Sequence, residues 1–153
     1  MLLEEAFEGA PVLVAGGYGF IGSNLVRRLV RLGARVTVVD ALVPNTGANR
    51  FNLSDLEGLI TVHVVNMVDE EAMRELMRGR TLVLNLAGQV SHVYSMCDPH
   101  ADLTMNCHAQ LGLSKPAASM RQARRSSSRQ RASSTGGQNT CRSMRATTAP
   151  DRH

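Results

Sequence analysis

At 153 residues the chain has room for one domain rather than two, and its formal charge is +4. No apolar run approaches the roughly 18–20 residues of a membrane-spanning helix, and Glu4 and Glu5 stand where a secretory leader would carry basic residues. Cys97, Cys107 and Cys141 cannot all pair within one chain and lack zinc-ligand spacing, so a reduced, cytoplasmic setting without a membrane partner is expected.

Val12-Leu13-Val14-Ala15 is a short apolar run closed by glycines, the pattern of a buried strand. A helix is predicted from about Phe20 to Leu32. Ile21, Leu25, Leu29 and Leu32 share one face, Arg27, Arg28 and Arg31 form a solvated one, and Gly33 ends it. Val36-Thr37-Val38-Val39 gives a second strand ending at Asp40, and Ile60 to Val65 a third. Asp69 is placed to cap a helix through Met77, with Glu70 and Glu71 in its first turn. Leu82-Val83-Leu84 is the fourth strand, and a last helix is predicted from near Pro99 past Asn106 to Leu113. Nearly all-apolar strands alternating with helices imply an α/β fold, a parallel sheet covered on both faces and connected by right-handed crossovers. Met67, Met73 and Met77 read as core filling.

The chemistry concentrates in Gly16-Gly17-Tyr18-Gly19-Phe20-Ile21-Gly22, between the first strand and the first helix. Gly16 permits a tight turn, Gly19 lets backbone approach a pyrophosphate, and Gly22 lets the helix pack closely on the strand. The helix N-terminus then offers free N–H groups and partial positive charge to phosphates. Asp40 follows 18 residues after Gly22 at the end of the second strand. A carboxylate there accepts hydrogen bonds from the adenosine ribose hydroxyls of NAD and repels the 2′-phosphate of NADP. The pattern is that of a Rossmann-type, doubly wound dinucleotide-binding domain.

Filled as Gly-Gly-Tyr-Gly-Phe-Ile-Gly, this motif resembles the extended short-chain dehydrogenase/reductase family, and the likeness continues through residues 11–113. Leu86-Ala87-Gly88-Gln89-Val90-Ser91-His92 is similar to the family segment passing the nicotinamide ribose; for Ser91 and Ser95 two readings stay open, a substrate contact as at this loop in the family, or plain loop solvation. Asp98-Pro99 and Asn106 match a helix start and a structural Asn. The loop Asp40-Ala41-Leu42-Val43-Pro44 with Gly47-Ala48-Asn49-Arg50-Phe51-Asn52-Leu53 is similar to the NAD-dependent epimerase/dehydratase subgroup. The resemblance implies NAD as cofactor, a nucleotide sugar as substrate of the intact parent, transient hydride transfer as in a UDP-glucose 4-epimerase, and a homodimer. It also implies cofactor-binding roles for Gly17, Tyr18, Phe20, Ile21, Asn66, Met67, Ala87 and Gly88 beside Gly16, Gly19, Gly22 and Asp40. Where the family usually has an Asp accepting from the adenine amino group, this chain has Asn66, whose carbonyl can accept the same bond without charge assistance.

The family's chemistry requires a Tyr followed four residues later by Lys, the Lys lowering the Tyr pKa so that it can exchange protons. Here Tyr94 is followed four residues later by Asp98, Tyr18 lies in the glycine loop, and the only lysine is Lys115. No catalytic residue is therefore assigned, and this chain is expected to be inactive and, with its sheet cut short, prone to aggregation.

Residues 1–113 carry 8 Arg against 12 acids, whereas residues 114–153 carry 9 Lys and Arg against Asp151 alone. The second stretch has no Val, Ile, Leu, Phe, Trp or Tyr, too little apolar surface to offset the entropy of ordering it. A boundary is expected at Leu113, where the resemblance stops, with a disordered Arg/Ser-rich tail beyond. Read out of frame, the codons of Leu113 to Ala118 permit Leu-Glu-Ala-Cys-Arg, the usual end of the family helix. Those of Ser134 to Arg145 permit a second family-like segment, and the codons between permit a fifth strand. A frameshift near codon 113 and a truncated parent are expected.

Two other readings stay open: a non-catalytic NAD-binding regulatory module, and a tail used as a nucleic-acid-binding arm. The tail offers no aromatic for base stacking, so no specific nucleic-acid partner is expected. His92, Cys97, His100, Cys107 and His108 lack a two-plus-two ligand pattern, and no metal is expected.

Overall fold

β1 (Pro11–Ala15) is hydrogen-bonded on both sides, to β2 (Arg35–Asp40) and to β4 (Leu82–Asn85), while β3 (Thr61–Val64) pairs with the far edge of β2. All pairings are parallel, and the sheet order is β3-β2-β1-β4. The computed structural model describes residues 3–44, 46–89 and 91–114; the basic stretch, Lys115 and Cys141 lie outside these residues.

Side chains alternate across the sheet and separate the core into two layers. Val12, Val14, Val36 and Val38 pack with Val26 and Leu29 of α2 (Phe20–Arg31). Leu13, Ala15 and Val39 pack on the other face with Met73 and Met77 of α3 (Glu70–Met77), joined by Met67, Ala109 and Leu113. Both faces of the sheet are covered, and the three methionines fill the core. Val12, Leu13, Val14 and Ala15 are wholly buried, whereas every residue of β4 is only half-buried. Full burial of one Val or Leu stabilises by about 1.5–3 kcal/mol, more than the roughly 1 kcal/mol span of strand propensities. Position in the sheet therefore decides the conformation of the central run.

The helix ends follow their local chemistry. Asp69 Oδ1 accepts from Ala72 N–H at 3.0 Å and starts α3; Asp98 Oδ1 accepts likewise from Ala101 N–H and starts α5 (Pro99–Leu103). After α2, Gly33 takes a φ of +79°, which lets Ala34 N–H return to the Leu29 carbonyl and close the helix. α5 does not continue unchanged toward Leu113 as predicted. A π-helical turn at Thr104–His108 interrupts it, and the chain is then helical through residue 114.

Three short elements were not expected: α1 (Leu3–Phe7), a 3-10 segment (Arg50–Leu56) and α4 (His92–Cys97). Two readings of α2 are corrected. Its buried face is Gly22, Ser23, Val26 and Leu29, while Ile21 is 68% exposed, because Gly22 presses directly on the glycine loop and sets the rotation of the helix. Arg27 is not simply solvated. Its guanidinium pairs with Asp55 at 2.8 and 2.9 Å and donates to the Asn52 carbonyl, tying α2 to the 3-10 segment. That pairing raises the Arg27 pKa and lowers that of Asp55.

Candidate functional site

A cleft of about 270 Å³ opens over the C-terminal ends of the strands. Strand order explains its position. The chain runs from β1 outward through β2 to β3, then returns to the other side of β1 as β4, so connections diverge above β1. Backbone hydrogen bonds stitch the strand ends together: Gly16 N–H to the Val39 carbonyl at 2.8 Å, Leu86 N–H to Ala15 at 2.9 Å, and Val65 N–H to Asp40 at 3.2 Å.

The glycines of the loop meet different neighbours. Gly16 has a φ of +76°, and a Cβ there would lie 2.6 Å from Ala87 N, so this glycine serves both the turn and the approach of the chain leaving β4. A Cβ on Gly22 would lie 2.1 Å from the Gly16 carbonyl oxygen, and one on Gly17 would strike Val38. Gly19 differs. The nearest atom to its Cβ would be the Gly16 oxygen at 3.3 Å, and the residue itself lines the cleft. The first helical hydrogen bond of α2 runs from Ser23 N–H to the Gly19 carbonyl, and among the described residues no side chain caps the helix. The amides of Phe20, Ile21 and Gly22 thus precede the helical ladder at the positive end of a twelve-residue helix.

Asp40 is 8% exposed and is held by backbone on both oxygens. Oδ2 accepts from Tyr18 N–H at 3.0 Å and Oδ1 from Leu42 N–H at 2.9 Å. Leu42 reaches that oxygen with a φ of +50°, among the described residues the one non-glycine with positive φ. Each carboxylate oxygen keeps a further lone-pair direction for a ligand hydroxyl. Tyr18 is itself fixed by Asn52 Nδ2 and Asn49 N–H, both donating to its carbonyl.

Past β4, Asn85 Oδ1 accepts from Ala87 N–H, and Asn106 Oδ1 accepts from Gln89 N–H at 2.8 Å. These bonds shape Leu86, Ala87 and Gly88 into the wall opposite Asp40. Asn85 Nδ2 is buried without a hydrogen-bond partner among the described residues. Asn66 follows β3 with its side chain exposed; its Oδ1 accepts from Val68 N–H at 3.1 Å.

Of the predicted cofactor residues, Gly16, Gly19, Asp40, Asn66, Met67, Ala87 and Gly88 line the cleft together. Gly17, Tyr18 and Gly22 stand behind it as packing and backbone support, and the side chains of Phe20 and Ile21 point to solvent. The sequence reading missed Ala41, Val43, Thr46, Ala48, Met105 and Ala109 as lining residues. Met105 and Ala109 are four apart on the last helix, a spacing that marks one face without revealing what the face meets. Ser95 is bonded within the protein, with its Oγ 2.8 Å from Asp102 Oδ1. His100, Cys97, Cys107 and His108 are exposed, and the described residues form no group of three or more metal ligands. Among the described residues no helix is long and apolar enough to cross a membrane.

Residues 12–130 match the model of the NAD dependent epimerase/dehydratase family. That match continues past Leu113, where the sequence resemblance was expected to stop. The chain is similar to the UDP-N-acetyl-alpha-D-glucosaminuronate decarboxylase of Bacillus cytotoxicus, 36% identical over 75 residues that make up 49% of this chain and 22% of that protein. It is also similar to the crystal structure of the Bordetella bronchiseptica enzyme WbmF in complex with NAD+, at 32% identity and a TM-score of 0.65, covering 72% of this chain and 33% of that one. The UDP-glucose 4-epimerase of Thermotoga maritima with UDP-glucose gives 31% identity and a TM-score of 0.62, covering 70% and 33%. The chain thus spans a third or less of each of these relatives.

Proposed function

The chain belongs to the NAD-dependent epimerase/dehydratase family, and from that premise we propose that residues 11–113 bind NAD across the ends of β2, β1 and β4. The observation that carries this reading is the asymmetry of the glycine loop. Gly16, Gly17 and Gly22 are required by protein neighbours, but Gly19 borders open cleft at the foot of an uncapped helix. A backbone bared toward a cleft, beside unpaired amides, suits a diphosphate. Asp40, immobilised by two backbone N–H groups, then accepts from the adenosine ribose hydroxyls. Asn66 would hold the adenine, and Leu86 to Gly88 the nicotinamide ribose.

Bound NAD supplies a hydride acceptor that can return the hydride to the same sugar. The protein's part is to hold both ends of the dinucleotide and to keep a negative charge where NADP would place its 2′-phosphate. The longer protein of which this chain corresponds to a part acts on a nucleotide sugar as a homodimer, in the manner of a UDP-glucose 4-epimerase. The names of its relatives, a decarboxylase and an epimerase of UDP sugars, support that class. The 153-residue chain itself is catalytically inert, since neither tyrosine is followed four residues later by lysine. We read residues 114–153 as an out-of-frame tail, although the family match runs on to residue 130 in the present frame.

Calorimetric titration of the chain with NAD and NADP tests the binding. NAD should bind more tightly; tighter NADP binding overturns the role of Asp40, and no binding of either overturns the reading. Turnover of UDP-glucose by the purified chain would refute inertness. Genomic sequence across codon 113 tests the tail: a longer shifted frame encoding Tyr-x-x-x-Lys is expected, and a sound frame with nothing family-like downstream rejects it.

A further inference from the structure

Asn106 lies in the middle of the π-helical turn and meets the backbone of Gln89 with both ends of its amide. Its Oδ1 accepts from Gln89 N–H at 2.8 Å, and its Nδ2 donates to the Gln89 carbonyl at 3.3 Å. The inverted amide would set donor against donor and acceptor against acceptor. One turn earlier, Asp102 Oδ1 accepts from Asn106 Nδ2 at 2.9 Å. A carboxylate only accepts, so it rejects the inverted amide. The same oxygen lies 2.8 Å from Ser95 Oγ, which is also 3.0 Å from the Ser91 carbonyl, and the single hydroxyl proton serves one of them at a time.

We propose that Asp102, steadied by Ser95, is a positioning residue that fixes the sense of the Asn106 amide and thereby the wall of the cleft after β4. None of Ser95, Asp102 and Asn106 lines the cleft, so their influence must pass through the loop. The contact that transmits it is close: a Cβ on Gly88, which does line the cleft, would lie 2.9 Å from Asn106 Oδ1. Charge-assisted bonds of this kind are about twice as strong as neutral ones, which makes the carboxylate the anchor of the chain Ser95–Asp102–Asn106–Gln89. The bonds stand independently of any ligand; the consequence for binding rests on the NAD reading above.

Two variants of the full chain, Asp102→Ala and Asp102→Asn, test this in two ways. Amide exchange should accelerate about tenfold at Gln89 in Asp102→Ala, the loss expected for one charge-assisted bond, with Val14 and Val38 unchanged. Asp102→Asn should restore part of the protection, because its own amide oxygen can accept from Asn106. In titrations, Asp102→Ala should weaken NAD about tenfold and leave ADP, which spans only the Asp40 side, unaffected. Unchanged exchange at Gln89, equal acceleration at Val14 and Val38, or parallel weakening of NAD and ADP would each overturn the proposal. Should Asp102→Ala fail to fold, Asp102→Asn carries the test, with a smaller acceleration expected at Gln89 alone. Faster exchange at Gln89 in a chain whose unaltered form binds no NAD would refute the NAD reading and leave the positioning role intact.

Discussion

On one side of the cleft the shape is set by side chains that are missing; on the other it is set by side chains that reach. Gly16 and Gly22 let backbone and helix close to distances that no Cβ would permit, and Gly17 leaves the same room for the Val38 side chain. After β4 the wall is held by the amides of Asn85 and Asn106 bonding to backbone, with Asp102 and Ser95 behind them. Steric closure leaves few adjustments, because neighbouring backbone cannot move without disturbing β1. A hydrogen-bonded wall can lose one contact and keep its packing. The first side should therefore fail globally and the second locally.

The largest effect is expected at Gly22. In Gly22→Ala the new methyl would stand 2.1 Å from the Gly16 carbonyl oxygen, and overpacking against backbone should cost about 3 kcal/mol. Urea unfolding measures it, and an unchanged midpoint would show that the loop tolerates a shift the packing denies. Asn106→Ala comes next, at about 1–2 kcal/mol, since it strands the Gln89 N–H in a part-buried setting. Loss of exchange protection confined to residues near Gln89 is expected; a global loss would place Asn106 with the glycines. The smallest effect concerns Arg27 and Asp55, an exposed pair. The Asp55 pKa is lowered in the fold chiefly by its hydrogen bond with Arg27, so its contribution is present above the unfolded pKa. It is lost as pH falls through the folded value. Melting temperature against pH should show a shallow acid-side decline that Asp55→Asn removes; an identical slope in both proteins would deny the pair any role.

The same contrast explains what could be read from the sequence. The glycine spacing and Asp40 were legible because backbone geometry demands those residue types at fixed intervals along one strand-loop-helix unit. The four strands and the Asp69 cap were legible for a similar reason, since each signal is local, whereas the helix start at Asp98-Pro99 came from the family resemblance. α1, the 3-10 segment and α4 are only five to seven residues long, too short to display a helical period. Arg27 finds Asp55 28 residues away, a pairing that no local pattern announces. The face of α2 was misjudged because its apolar stripe pointed to Ile21, while the tightest contact belongs to Gly22, which has no side chain to count. The polar chain behind Gln89 escaped notice for a different reason: Ser95 reaches Asp102 from another helix, and Asn106 reaches back 17 residues to Gln89.

Gly19 bears on how such a protein would fare in a selection. An added methyl there would meet the Gly16 carbonyl oxygen at 3.3 Å, a contact that a shift of a few tenths of an ångström relieves, at a residue that lines the cleft. A library sorted for abundance or heat resistance would deplete alanine far less at this position than at Gly22, and one sorted for retention on an immobilised dinucleotide would discard it. At Gly22 both sorts would discard alanine alike. The ratio of the two scores, taken residue by residue along the loop, would separate what the chain needs in order to fold from what it keeps for its ligand.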